Sequence, residues 1–221
     1  MKTKFKETTQ SLTYMLSMFT MMFLGILLII YIILSFLDDP TSSFFGISMR
    51  TARIYFAVVG ITMVAGFLEW AVNSGVSRKT FFKSLLASAV LTAIILVIVA
   101  VIINFVLSFT PLAGDYLMEE QIESLSVIGN GLFVFLQSPL FFVTGALIGA
   151  AFQKGFVPGM VSILSGIVLI VALVFTESWM NYLASLNGMQ VYLGHLAVVV
   201  VTLIYTWILS RILKDMPVKV K

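Results

Sequence analysis

The chain has 221 residues, of which 60% are hydrophobic and only 10% charged, with a formal net charge of +3 and no cysteine. Soluble domains carry roughly a quarter of charged residues, so a mean hydropathy of +1.10 excludes a water-soluble globular enzyme and leaves lipid as the solvent. The missing cysteines exclude disulfides, thiol catalysis and Cys-based metal sites, and suit a bacterial plasma membrane.

A hydrocarbon core about 30 Å thick takes about 20 residues of helix, and six apolar stretches qualify: 13–37, 52–72, 85–109, 127–151, 157–176 and 189–212. The expected fold is therefore all-α, a polytopic domain over 13–215 with six transmembrane helices, preceded by a segment 1–12 and followed by a tail 216–221. In segment 1–12, Lys2, Lys4 and Lys6 flank Phe5. That pattern suits either an amphipathic helix lying on the inner membrane surface or a disordered basic tail. The first apolar run continues from Tyr14 to Leu37 without a small-residue cleavage site, which makes it a span and not a signal peptide. Arg50 and Arg53 stand at the outer start of the second span, three apart on one face, where Asp38, Asp39 or lipid phosphates could pair with them. Glu69 lies near the inner end of that span, within reach of Arg78 or Lys79; it belongs either to the joint with the next loop or to plain interfacial solvation.

The loop 73–84 holds Gly75, which can end a helix, and Ser77, which can cap a new one. Phe81 and Phe82 then give an apolar edge beside Arg78, Lys79 and Lys83, and the segment reads as a short surface helix. Composition alone favours ordinary positive-inside anchoring with interfacial aromatics. In the fourth span, Gln137, Ser138 and Pro139 put an amide and a helix interruption where lipid exposure is unfavourable, so they face protein or a cavity and are candidate pathway residues. Gly145 and Gly149 form a Gly-x-x-x-Gly face, for internal packing or for a subunit interface. Gly155 and Pro158 turn the chain tightly into the fifth span.

Orientation follows from the positive-inside rule. With a cytoplasmic N-terminus, eleven of the thirteen lysines and arginines lie inside, and only Arg50 and Arg53 lie outside. Asp38, Asp39, Asp115, Glu119, Glu120, Glu123 and Glu177 fall in the outer loops. Both termini are thus expected in the cytoplasm of a bacterial cell. The pI of 9.2 comes from charges beside the spans and implies no nucleic-acid partner.

No catalytic residue is identified. A Gly-x-x-x-x-Gly-Lys-Ser/Thr loop is missing, so the chain cannot hydrolyse ATP alone. One histidine, His195, rules out multi-histidine metal motifs, and no intramembrane carboxylate cluster replaces them; no metal site is expected. Ser165 and His195 resemble the dyad of rhomboid proteases, but Ile163 stands where that family has glycine. Counted from opposite faces at about 1.5 Å per residue, the two lie at depths that differ by about 9 Å, beyond the hydrogen-bond reach of about 3 Å that a dyad needs. Glu119 and Glu120 lack the arginine of the Glu-Glu-x-x-x-Arg proteases, since Ser124 stands there.

The order of residues 75–82, Gly75-Val76-Ser77-Arg78-Lys79-Thr80-Phe81-Phe82, resembles the Gly-x-Ser-Arg-Lys-x-Phe-Phe loop of permease subunits of ABC-2-type exporters. Six spans, inside termini and basic ends fit the same family. The resemblance implies that the chain is the membrane-spanning part of an ATP-driven exporter, with ATP and magnesium in a separate ABC ATPase subunit. It gives the stretch the part of a coupling helix, with Gly75, Ser77, Arg78, Lys79, Phe81 and Phe82, and Glu69 beside them, transmitting the motion of the ATPase. It further implies a second permease chain, identical or homologous, segment 1–12 as a connecting helix, and residues 177–188 as a short external or re-entrant piece. Amphipathic or antimicrobial peptides, such as lantibiotics and phenol-soluble modulins, are the expected cargo. The rival from another class is an assembly or immunity protein of the membrane that transports nothing.

Overall fold

The computed structural model describes residues 2–37, 43–110, 124–184 and 190–214. They form six α-helices and no strand: α1 (Lys2–Leu37), α2 (Phe44–Asn73), α3 (Arg78–Leu107), α4 (Ser124–Lys154), α5 (Phe156–Ala184) and α6 (Gln190–Lys214). Four of them contain stretches long and apolar enough to cross a membrane, Lys4–Phe36, Phe44–Asn73, Arg78–Leu107 and Phe135–Lys154, and α5 offers the shorter Phe156–Val171. At about 1.5 Å per residue the 30 residues of α2 or α3 span roughly 45 Å, half as long again as the hydrocarbon slab of about 30 Å. The helices therefore overrun the apolar layer, which is why they begin or end several residues outside the apolar runs.

Two expectations about the ends are corrected. Segment 1–12 is neither a separate surface helix nor a loose tail, because residues 2–12 are the first three turns of α1. They pack on α3, where the Ser84 hydroxyl donates to the Phe5 carbonyl at 3.4 Å and the Ser88 hydroxyl to the Thr9 carbonyl at 3.2 Å. Likewise residues 177–184 are not a separate external piece; they continue α5 to Ala184.

The α2–α3 turn is set by local chemistry. Gly75 has φ +74°, the left-handed conformation that costs an L side chain about 1–2 kcal/mol. It allows the Val76 amide to reach the Ala71 carbonyl and the Gly75 amide to reach the Val72 carbonyl, both at 2.9 Å, the Schellman closure of a helix. Two residues later the Ser77 hydroxyl accepts from the Thr80 amide at 3.2 Å and caps α3. Gly155, at φ +151°, separates α4 from α5 by one residue, and Pro158 falls in the first turn of α5, where a missing N–H costs nothing.

Packing places α4 at the centre, in contact with α2, α3, α5 and α6, while α1 leans on α3. Gly145 meets Ala57 and Gly149 meets Ile61, so α2 and α4 run parallel; the Ser84–Phe5 and Ser88–Thr9 contacts make α1 and α3 parallel too. This is the arrangement of a chain that reverses direction at each turn. Leu16, Leu24, Phe56, Met63, Leu85, Leu96 and Phe142 fill one core. Leu140, Leu169 and Val198 form a smaller one where α5 and α6 meet α4. The outer surface is apolar as well, with Met22, Ile29 and Ile33 on α1, Ile98 and Phe105 on α3, Val168 on α5 and Leu203 on α6 all exposed. A chain apolar both inside and out, with small and hydroxyl-bearing residues in its helix contacts, is built for lipid, where packing and not water exclusion brings helices together.

Candidate functional site

The basic end of the bundle is assembled from four elements. Lys4 on α1 donates to the Gly75 carbonyl at 3.3 Å, and Arg78 on α3 donates to the Lys214 carbonyl at the end of α6 at 3.0 Å. Each cation thus caps the C-terminus of a neighbouring helix, where unsatisfied carbonyls carry partial negative charge. These two bonds bring the start of α1, the α2–α3 turn and the end of α6 to one end. The α4–α5 turn joins them, because the Gln153 amide donates to the Val64 and Ala65 carbonyls at 3.2 and 3.0 Å, in the last turns of α2. Arg211 lies over the exposed Trp207 ring, 5.3 Å from its centroid, a cation–π pair suited to a headgroup layer.

Within this end the residues of the loop motif part company. The expected short surface helix is not formed, since the Schellman turn and the Ser77 cap leave no residues for one; Arg78, Lys79, Phe81 and Phe82 are the first turn and a half of α3. Phe81 does not form an outward apolar edge either. It is fully buried, as is Ser84, because a helix that starts at Arg78 turns positions 81, 84, 85 and 88 toward α1. Phe82 is half-buried, and Lys79 and Lys83 are exposed on the opposite face. Glu69 is exposed on α2, while the Arg78 guanidinium lies on the Lys214 carbonyl.

The glycines of α4 meet α2 of the same chain. A Cβ at Gly145 would overlap the Ala57 carbonyl, and one at Gly149 would lie 2.7 Å from the Ile61 carbonyl oxygen. The opposite contact, Gly60 of α2 against the Phe142 carbonyl, was not singled out from sequence, where an isolated glycine carries no mark of its partner. Toward the other end of α4, Gln137 is fully buried and Ser138 nearly so; neither the amide oxygen nor the amide nitrogen of Gln137 has a hydrogen-bond partner. A second polar contact that the sequence reading passed over is the bond of 2.8 Å between Thr20 of α1 and Tyr55 of α2, with Phe23 stacked on the Tyr55 ring at 4.4 Å.

The Ser165 hydroxyl donates to the Ser162 carbonyl at 2.9 Å within its own helix, and the Tyr205 hydroxyl reaches the Ser165 carbonyl from α6 at 3.5 Å. The His195 side chain lies outside the described residues, as do Asp38, Asp39, Asp115, Glu119, Glu120, Glu123 and the tail 216–221. Arg50 and Arg53 stand two and three turns into α2, which begins at Phe44 and not at 52. Among the described residues no three His, Cys, Asp or Glu side chains lie together as metal ligands. Compared with known proteins, the chain matches no family model, no curated protein and no solved structure.

Proposed function

We propose that the chain is the membrane-spanning permease subunit of an ATP-driven exporter of the ABC-2 type, crossing a bacterial plasma membrane six times with both termini in the cytoplasm. A separate ATPase binds the basic end, a second permease chain completes the path, and amphipathic peptides are the cargo. The observation that carries this reading is the 75–82 motif at an end that also gathers Lys4, Lys154 and Lys214. Inside-positive charge and a compact turn there suit a protein that receives a cytoplasmic partner. In alternating access the ATPase supplies the free energy, and this chain supplies two packings of its helices between which that energy shifts the population. The buried Phe81 and the cap made by Arg78 give these residues the task of joining the first turn of α3 rigidly to α1 and α6. Lys79, Lys83 and the edge of Phe82 are left as the surface for the partner, with Glu69 at its margin.

The test is gentle purification of the tagged protein from its native membrane, with mass spectrometry to identify any P-loop ATPase that accompanies it. Lys79→Glu/Lys83→Glu should lose the ATPase and keep the fold, since both side chains are exposed. If intact, correctly inserted protein brings no ATPase, the exporter reading fails and a non-transporting assembly or immunity protein replaces it.

A further inference from the structure

The outward face of α6 changes chemistry in one direction. Leu196, Val200, Leu203 and Trp207 are exposed, as are Arg211 and Lys214, and steps of three or four residues keep all six on one side of the helix. Opposite them, Val198, Leu209 and Leu213 are buried against the bundle. From Leu196 to Trp207 the helix rises about 16 Å, close to half of the hydrocarbon slab of about 30 Å. Arg211 and Lys214 follow in the next two turns. A phospholipid has the same order along its length: acyl chains, then the interfacial layer that tryptophan favours, then the phosphate.

The charge on this face is unbalanced. No acidic residue occurs in α6, and the sequence beyond it adds Asp215 but also Lys219 and Lys221. Among the described residues neither Arg211 nor Lys214 forms an ion pair. The Arg211 guanidinium rests instead on the Trp207 ring, 5.3 Å from its centroid, a contact that consumes none of its N–H donors. Arg78 brings a third positive charge to the last turn through its bond of 3.0 Å to the Lys214 carbonyl. No other face among the described residues has this combination. Trp70, exposed near the same end on α2, stands beside Glu69, and α3, which carries Lys79 and Lys83, has no tryptophan.

We infer that this face of α6 is a binding site for one anionic phospholipid of the leaflet at the basic end. Arg211 and Lys214 hold the phosphate, Trp207 lies at the glycerol level, and an acyl chain runs along Leu203, Val200 and Leu196. A zwitterionic headgroup brings its own ammonium among these cations and binds less well. The bound lipid offsets the repulsion among Arg78, Arg211 and Lys214 and so holds the end of α6 beside α3. A cytoplasmic protein has no access to the apolar stretch from Leu196 to Leu203, which favours a lipid over the ATPase as occupant. The site does not rest on the exporter reading.

Native mass spectrometry of the chain in a non-ionic detergent, with equal amounts of dioleoylphosphatidylglycerol and dioleoylphosphatidylcholine, reads the preference. One phosphatidylglycerol should be retained about tenfold more tightly than phosphatidylcholine, the order expected from two basic residues near an anionic headgroup. Arg211→Gln/Lys214→Gln should abolish that preference, whereas Lys79→Gln/Lys83→Gln, with the same loss of charge, should keep it. All four side chains are exposed, and circular dichroism checks that both variants are folded. Trp207→Leu should weaken retention and Trp70→Leu should not. Equal retention of the two lipids by the unaltered chain overturns the site, and so does an equal loss in both double variants, which would mean diffuse attraction to the whole basic end. Displacement of the lipid by excess glycerol 1-phosphate would make the ligand a free phosphate ester and overturn the lipid. Arg211→Gln/Lys214→Gln that loses a co-purifying ATPase at unchanged lipid preference would assign the face to the ATPase instead. A chain that brings no ATPase yet retains phosphatidylglycerol through α6 keeps the site while the exporter reading fails.

Discussion

At Gly145 the α2 backbone lies so close that a Cβ would overlap the Ala57 carbonyl, whereas at Gly25 on α1 nothing lies within 4 Å of the same atom. The two glycines look alike in sequence, and their substitutions should act in opposite directions. Gly145→Val forces α2 and α4 apart and should destabilise the fold by about 1–3 kcal/mol, the usual cost of overpacking. Gly25→Ala adds helix propensity in open space and should stabilise it by about 0.5–1 kcal/mol. Denaturation of both variants in mixed detergent micelles, followed by circular dichroism, checks the pair; loss of stability at Gly25 as large as at Gly145 would mean that the α2–α4 contact does not exist as described. Gly145 and Gly149 were legible as a close-packing face, because small residues four apart have few other uses in a membrane helix. Their partner was not, because Ala57, Ile61 and Gly60 lie in a helix whose pairing with α4 no local pattern encodes.

The turn between α2 and α3 was the most legible element in the chain. Gly75 and Ser77 announce a helix end and a helix start by conformational and capping preferences that act within three residues. Those same preferences exclude the separate surface helix expected over 73–84, since the cap at Ser77 starts α3 itself. Gly75→Ala should destabilise the turn by about 1–2 kcal/mol through the strain of a positive φ, and Ser77→Ala by about 0.5–2 kcal/mol through loss of the cap. Hydrogen exchange of the amides in 74–82 is the direct readout. Faster exchange confined to this turn is the expected result, and unchanged protection in both variants would remove the capping argument. At the C-terminus of α6, Arg78→Gln should loosen the last turn through loss of the bond to Lys214, whereas Lys79→Gln, exposed and without such a bond, should not. That difference separates an anchoring cation from a docking one.

Among the described residues, the bonds Lys4–Gly75, Arg78–Lys214 and Gln153–Val64 place the start of α1, the end of α6 and both short turns at one end of the bundle. Cysteines introduced at positions 4, 79, 154 and 214 should therefore all be modified by an impermeant thiol reagent from the same side of the membrane, and from the cytoplasmic side if the positive-inside bias holds. Protection of any one while the others react would break either the bundle or the alternation of its helices. Deletion of residues 2–12 should destabilise the bundle and not merely shift its topology, because Thr8 and Leu12 are buried and the Phe5 and Thr9 carbonyls accept hydroxyls of α3. Thermal unfolding of the truncated chain in detergent decides this. An unchanged midpoint would return the segment to the free tail that its lysines first suggested.

Sequence alone determined the solvent, the helical class and the approximate number of helices, because a bilayer leaves a backbone so few ways to satisfy its hydrogen bonds that long apolar runs have one outcome. It also determined the turns at Gly75–Ser77 and Gly155, whose chemistry is local. Tertiary structure decided which face of each helix meets another. Phe81 turned inward because α1 extends down to cover it, the α4 glycines met α2 inside one chain, and the Gln137 amide was buried without a hydrogen-bond partner. In lipid both faces of a helix are apolar, so hydrophobicity does not distinguish the packed face from the exposed one; shape, small residues and a few hydrogen bonds between distant residues make that choice.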